Sequence, residues 1–261
     1  MLIDAHCHLE DWIVKDQVED VLAEAQANDV QGFVLGGTRP EDWHLYSDLA
    51  KKYSAVRFCV GLHPSEIKDN FEEQLSALNP YLKQAIAIGE IGLDFSQLPE
   101  NKAEKIAYCR RQIVVFEKQL RLAKEYSLPI VIHCREAMDT TIAVLDYVDF
   151  DFSRILFHCF SGNVNEAKNL FLRGAYLSYS GILTFKSAAS MRESFLATPT
   201  KRFLVETDCP FLAPVPYRGK TNRPALLRHT AEFAANLRGM PLEDFKNCTV
   251  DNTQRFFGSV W

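Results

Sequence analysis

Eight short apolar runs recur along the chain with segments of helical period between them, and this alternation constrains the fold more than any other feature. The runs are Leu2-Ile3-Asp4-Ala5-His6-Cys7-His8, Val30 to Gly37, Val56 to Gly61, Ala85 to Gly89, Ile130 to Ile132, Ile155 to Phe157, Ala175 to Tyr179 and Phe203 to Val205. Each is short enough for a buried strand. Between them, Trp12 to Asn28 carries Val14, Val18, Val21, Leu22 and Ala25 on one helical face, and Pro40 opens a helix through Tyr53. Further helices are expected over about Lys102 to Tyr126, Asn163 to Arg173, Ser187 to Ala197 and Arg223 to Leu237. Eight strands alternating with helices over 261 residues is the size and order of a (β/α)8 TIM barrel, read as a single domain over residues 1–261. A doubly wound open sheet is the alternative, but it commonly begins with a glycine-rich first turn, and here the first strand ends in histidines.

The barrel reading says where to look for chemistry. In this fold the active site sits at the C-terminal ends of the strands. His6, His8, His63, Glu90, His133, His158 and Asp208 all fall there, and of the seven histidines only His44 and His229 do not. Side chains alternate along a strand, so His6 and His8 share a face, with Asp4 one step below them and expected to orient one of them. Neutral imidazoles with carboxylates suit zinc, and a site that keeps waters suits magnesium or manganese. His6, His8, Glu90, His133, His158 and Asp208 are more ligands than one tetrahedral ion needs. Two divalent ions about 3.5 to 4 Å apart would use them all, polarising a phosphoryl oxygen and activating a water. Glu90 enters between the first-strand pair and the ligands of the fifth and sixth strands, which makes it the natural bridge. Asp208 closes the ring beside His6 and His8, as ligand and as acceptor of the water's proton. No lysine ends the fourth strand, so a carbamylated lysine is not available as a bridge.

The series Asp4-Ala5-His6-Cys7-His8, Gly61-Leu62-His63-Pro64, Gly89-Glu90-Ile91-Gly92-Leu93-Asp94, His133-Cys134-Arg135, His158-Cys159-Phe160-Ser161-Gly162 and Glu206-Thr207-Asp208-Cys209-Pro210 resembles the TatD family of metal-dependent deoxyribonucleases, within the amidohydrolase superfamily. Tyr217-Arg218-Gly219-Lys220-Thr221-Asn222 and Asn252-Thr253-Gln254-Arg255-Phe256-Phe257-Gly258 extend the likeness over nearly the whole chain. The resemblance implies a barrel with two divalent metals. It groups His6, His8 and Asp208 around one ion and His133 and His158 around the other, with Glu90 between them. It also implies phosphodiester hydrolysis, often from the 3′ end, with nucleic acid, DNA by that likeness, as the substrate partner. The family has offshoots acting on other nucleic-acid-derived esters, so membership supports the hydrolase more firmly than the DNA.

A formal net charge of −5 argues against a polyanion substrate until the local count is made. Two divalent cations against Glu90 and Asp208 leave the pocket positive. Arg39, Arg135, Lys186, Arg218, Lys220 and Arg223 lie just beyond strand ends, and Arg135 and Arg218 each follow a ligand-bearing strand closely. His63 is a further candidate substrate contact. Its alternative is a histidine satisfying a loop carbonyl, as ordinary surface charge is the alternative for the cations. Phe95, Phe160, Tyr179, Phe211 and Tyr217 would suit base stacking, although core packing is the default in a chain with 18 phenylalanines. Cys7, Cys134, Cys159 and Cys209 each follow a candidate ligand, and strand alternation turns them toward the helices as packing residues. Glu206 shares a face with Asp208 and reads as a buried paired carboxylate or a further ligand, and Asp94 as the cap of a turn.

Composition excludes more than it selects. With 47% hydrophobic and 24% charged residues the chain can bury a full core. No apolar run approaches the roughly 20 residues that span a bilayer, and Asp4 and His6 interrupt any signal-peptide pattern, so the expectation is a cytoplasmic protein with no membrane contact. Seven cysteines without repeating spacing fit reduced thiols. Nothing signals an obligate protein partner. The rival readings are an amidase or esterase acting on a small molecule or a charged tRNA, which would be indifferent to DNA and to Arg135 and Arg218, and a non-catalytic binding protein on the same barrel. A dehydrogenase or kinase has no glycine-rich phosphate loop behind it.

Overall fold

Strands form where the apolar runs predict them, because a parallel barrel buries both faces of each strand and so selects near-continuous apolar sequence. The computed structural model describes residues 1–258 and 261. Its strands are β1 Leu2–Cys7, β2 Val30–Gly36, β3 Val56–Val60, β4 Ala87–Asp94, β5 Ile130–Arg135, β6 Ile155–Phe157, β7 Tyr176–Tyr179 and β8 Phe203–Val205. They lie in one sheet in chain order, every neighbouring pair parallel. The sheet closes just past the end of β8, where Asp208 N–H donates to His6 O at 3.0 Å and His8 N–H to Cys209 O at 2.9 Å. The result is a (β/α)8 TIM barrel.

The helices are α1 Glu10–Val14, α2 Val18–Ala27, α3 Pro40–Lys52, α4 Phe71–Ser76, α5 Lys102–Glu125, α6 Met138–Val148, α7 Val164–Leu172, α8 Ala189–Ala197, α9 Leu227–Arg238 and α10 Leu242–Phe257. No described helix is long and apolar enough to cross a membrane. Two elements differ from expectation. The helix expected over Trp12 to Asn28 is broken between α1 and α2, where Asp16 takes a left-handed φ of 54°. Val14 is therefore exposed, while Val18, Val21, Leu22 and Ala25 are buried along α2. The fourth strand does not stop at Gly89 but runs through Glu90 to Asp94, pairing Gly92 with His133 and Asp94 with Arg135 after a register shift between Ile88 and Ile91. Gly92 permits this continuation: its φ is +142°, and a Cβ there would lie 2.0 Å from His133 O.

Inside the barrel each strand contributes one side chain to a sealed layer: Ala5, Val34, Cys59, Ala87, Val131, Leu156, Tyr176 and Leu204. The end of α10 packs below it, with Phe256 5.2 Å from Tyr176 between ring centroids and the Trp261 indole N–H donating to Ala55 O at 3.3 Å. Helices cover the outer face through a second, larger apolar cluster. The bottom being closed, the polar residues collect at the other mouth.

Candidate metal centre

Glu90 stands at the centre of that mouth, 4% exposed, and its two carboxylate oxygens face different partners. Oε2 is 3.3 Å from His6 Nε2 and 3.6 Å from His8 Nε2. Oε1 is 2.7 Å from His158 Nε2, 2.9 Å from His133 Nδ1 and 3.3 Å from His63 Nε2. Asp208 enters from beyond β8, with Oδ1 3.5 Å from His8 Nε2 and 4.0 Å from His6 Nε2. The fold therefore gathers all of the residues singled out as metal ligands, from β1 and the residue that follows it, β4, β5 and the turns after β6 and β8. His63, singled out as a substrate contact, lies among them.

Local sequence makes the crowding possible. Gly36 leaves space for the His6 ring, since a Cβ there would come within 2.4 Å of His6 Cε1. The His6 ring stacks on His158 with centroids 4.0 Å apart, and His63 meets His133 edge-on at 4.4 Å. Buried amides on α5 fix the approach of two loops. Gln119 accepts from Leu62 N–H at 2.7 Å and donates to Leu62 O at 3.1 Å, just before His63. Two turns earlier, Gln112 does the same for the backbone of Asp94, at 2.9 and 3.0 Å.

Electrostatics favours ionised carboxylates here. Burial alone would raise the Glu90 carboxyl, but the imidazoles of His158 and His63 and the hydrogen bonds of His133 and His158 hold it well below the usual carboxylate range. Burial opposes ionisation of Asp208 as well, and the His8 hydrogen bond with the charges of His158, His8 and His6 brings it down. His8, which burial would lower, is pushed up to about 10 by Asp208 and Glu90. His6 goes the other way, lowered by burial and by His158.

The donor set fits divalent cations. His6 Nε2 and His8 Nε2 are 3.1 Å apart, an approach at which two neutral ring nitrogens converge on one shared proton or one shared cation. Three groups of donor atoms lie within 4.8 Å of one another: His6, His8 and Glu90; His6, His158 and Asp208; His63, Glu90 and His133. Nδ1 of His6 is buried without a hydrogen-bond partner among the described residues, and Nδ1 of His158 has only Glu206 Oε1, at 3.5 Å.

Among the neighbouring residues one expectation needs correction and others hold. Asp4 does not orient a histidine: its carboxylate accepts from Thr207 N–H at 2.8 Å and from the Thr207 hydroxyl at 2.5 Å, steadying the residue before Asp208. Asp94 caps its turn by accepting from Ser96, as expected, but its other oxygen lies 3.1 Å from His133 Nε2. The early end assigned to β4 hid that contact. Glu206 is paired inside the barrel, accepting Cys159 N–H at 2.6 Å and lying 3.5 Å from His158 Nδ1. The cysteines turn away from the ring nitrogens: Cys134 Sγ meets the Thr141 hydroxyl and Cys159 Sγ that of Ser180, each at 3.4 Å. All seven thiols are free.

The cations also separate. Arg39 is committed to Asp42 and Glu66, and Arg223 to Glu24. Arg135, Lys186, Arg218 and Lys220 are exposed, and among the described residues none pairs with a carboxylate; Arg218 lies over the Phe185 ring at 4.5 Å.

Fold and site together define a barrel protein whose mouth gathers histidine and carboxylate donors close enough to hold a metal ion. Residues 3–258 match the family described as TatD related DNase. The chain is 36% identical to the uncharacterized metal-dependent hydrolase YcfH of Escherichia coli, over 98% of this chain and 95% of that protein. It is 34% identical to the uncharacterized metal-dependent hydrolase YabD of Bacillus subtilis, over 98% and 99%. Among solved structures, the TatD homologue YjjV of Escherichia coli superposes with a TM-score of 0.89 at 26% identity, covering 98% of this chain and 97% of that one. The chain belongs to the TatD family of metal-dependent hydrolases.

Proposed function

We propose that this protein hydrolyses phosphodiester bonds of nucleic acid, shortening single-stranded DNA from its 3′ end, with two divalent cations held at the barrel mouth. The observation that carries the reading is the division of Glu90, one oxygen toward His6 and His8 and the other toward His133 and His158. In this reading His6, His8 and Asp208 would hold one cation and His133 and His158 the other, with Glu90 contributing a carboxylate oxygen to each. The family's description as DNase-related supports the bond, and the unpaired Arg135, Lys186, Arg218 and Lys220 support a polyanion despite the global charge of −5.

When bound, the cations supply Lewis-acid polarisation of the phosphoryl group and activation of water, and zinc, magnesium and manganese all suit the donors. The protein's own groups do the rest. Asp208 takes the proton of the attacking water; already in the metal-free site the imidazoles of His8, His158 and His6 bring its carboxyl below the ordinary value. His63 Nδ1 accepts from Ser65 N–H at 3.1 Å, which leaves Nε2, the nitrogen facing Glu90, as the ring's donor. With Glu90 engaged by the cations, that N–H would be free to donate, with the Arg135 guanidinium, to the non-bridging oxygens and orient phosphorus.

The test is hydrolysis of end-labelled single-stranded DNA by metal-stripped protein, with magnesium, manganese or zinc restored and Glu90→Ala alongside. Shortening from the 3′ end that returns with cation and is absent in the variant supports the reading. No shortening with any cation rejects it.

One observation favours a second reading, a hydrolase of a small ester or amide. A cavity of about 500 Å³ beside His158 is lined by Glu136, Asp139 and Glu166, a setting that repels phosphate and suits a neutral or cationic group. Turnover of aryl esters that is unaffected by competing DNA would favour it.

A further inference from the structure

Five aromatics were candidates for base stacking, and the fold sets one of them apart. Phe160 and Tyr179 are core residues, Phe95 packs against the same core, and Tyr217 leans on His229 with centroids 5.1 Å apart. Phe211 is 61% exposed, three residues beyond Asp208. Leaving a phenylalanine ring in water forfeits most of its burial energy, so its position calls for an explanation. Other exposed apolar side chains, such as Ile106, Tyr147 and Leu172, ride on outer helices, whereas Phe211 and Val215 stand on the loop that follows β8.

That loop is held firmly. Phe211 N–H donates to Asp208 O at 3.0 Å and Asn222 N–H to Pro210 O at 3.0 Å. The Asn222 amide donates to Thr207 O at 2.9 Å, and Val215 N–H to the Thr184 hydroxyl at 2.9 Å. Gly181 packs so closely beneath it that a Cβ would lie 2.3 Å from Leu212 O. An exposed ring on a tethered loop loses little freedom when something stacks on it, which is the preorganisation that recognition by stacking needs. The same loop carries Arg218 and Lys220, neither of which has a carboxylate partner among the described residues. A free π face on a loop that also carries cations without carboxylate partners matches an unpaired nucleobase attached to a phosphate.

We propose that Phe211 is the stacking platform for the unpaired base of the 3′-terminal nucleotide, and so a specificity-determining residue that selects single-stranded or frayed ends. A paired base already stacks within its duplex and presents no free face to the ring. This inference rests on the nuclease reading above.

The experiment is a cycle of ring removal against base removal. The manganese-loaded protein, Phe211→Ala and Phe211→Trp are compared on end-labelled single-stranded DNA whose 3′-terminal nucleotide is natural or abasic. On the natural end Phe211→Ala should lower kcat/KM about tenfold, mainly through KM, and Phe211→Trp should stay within about twofold of wild type. On the abasic end wild type and Phe211→Ala should be equal. An equal loss on both ends, or no loss on either, overturns the stacking role while DNA shortening, and with it the nuclease reading, survives. If the wild-type protein shortens no DNA with any cation, the nuclease reading fails and takes the stacking role with it.

Discussion

Asp4 and Thr207 join the first strand to the turn after the last: the buried Asp4 carboxylate accepts both the backbone N–H and the hydroxyl of Thr207, at 2.8 and 2.5 Å. The next residue is Asp208, whose φ of 55° is unusual for a residue with a Cβ. The clamp therefore holds the turn that aims Asp208 at His8. Thr207→Val removes the hydroxyl and leaves a buried acceptor short of a partner, which should cost about 1–3 kcal/mol of stability and lower kcat more than it changes KM. Chemical denaturation and steady-state kinetics measure both. An unchanged stability with unchanged turnover would show that the clamp positions nothing.

Gly36→Ala probes the crowding around His6. The added methyl falls within 2.4 Å of the ring, between strands that cannot separate, so the ring must move. The fold should persist by circular dichroism while affinity for the cation beside His6 and His8 drops at least tenfold, an effect of the size seen when residues supporting a ligand are changed. Calorimetric titration with zinc reads it out, and wild-type affinity in the variant would contradict the packing argument.

Gln119→Leu removes the amide that brackets Leu62 and strands a buried N–H, at about 1–3 kcal/mol. Because His63 is the next residue, a loss of activity beyond the loss of stability is expected, expressed in KM for the substrate. Gln112→Leu, which frees Asp94 instead, should act through His133 and weaken cation binding.

Cation binding should release protons. Burial opposes the charge on His8, yet Asp208 and Glu90 push its pKa up to about 10, so the metal-free site holds that proton at neutral pH and a cation must displace it. Affinity should rise with pH, and the heat of binding at pH 7.5 should vary with the ionisation enthalpy of the buffer. For the metal-free protein the sign is the reverse. A histidine whose folded pKa exceeds its unfolded value of about 6.5 stabilises fully below that value and loses the contribution as pH climbs through about 10. Asp4, raised to about 8 by burial against the Thr207 hydrogen bonds, adds to the same decline between about pH 4 and 8. A melting temperature of the metal-free protein that climbs from pH 7 to 10 would contradict this.

Much of the barrel was legible because its two periods are distinct: apolar runs where both strand faces are buried, and a helical stripe where one face is. His6, His8, His133, His158, Glu90 and Asp208 stood out because strand ends concentrate ligand types, a placement that follows from chain order alone. What pattern did not reveal depends on backbone detail. The fourth apolar run ends at Gly89, yet Gly92 lets β4 press against β5 and carry on to Asp94. Asp16 gives no sign in sequence that it would break a helix. The pairing of Asp4 spans more than 200 positions to Thr207, a distance over which periodicity carries no information. Nor could sequence separate Phe211 from the core aromatics, since burial decides that and both share a composition.

The central claim is that Glu90 joins two cation sites. Its most direct test is manganese stoichiometry with electron paramagnetic resonance, on wild type and Glu90→Ala. The account predicts two Mn²⁺ per chain with an exchange-coupled signal in the wild type, and loss of that coupling with weakened binding in the variant. One Mn²⁺ per chain, or two that are uncoupled and indifferent to Glu90→Ala, would contradict it.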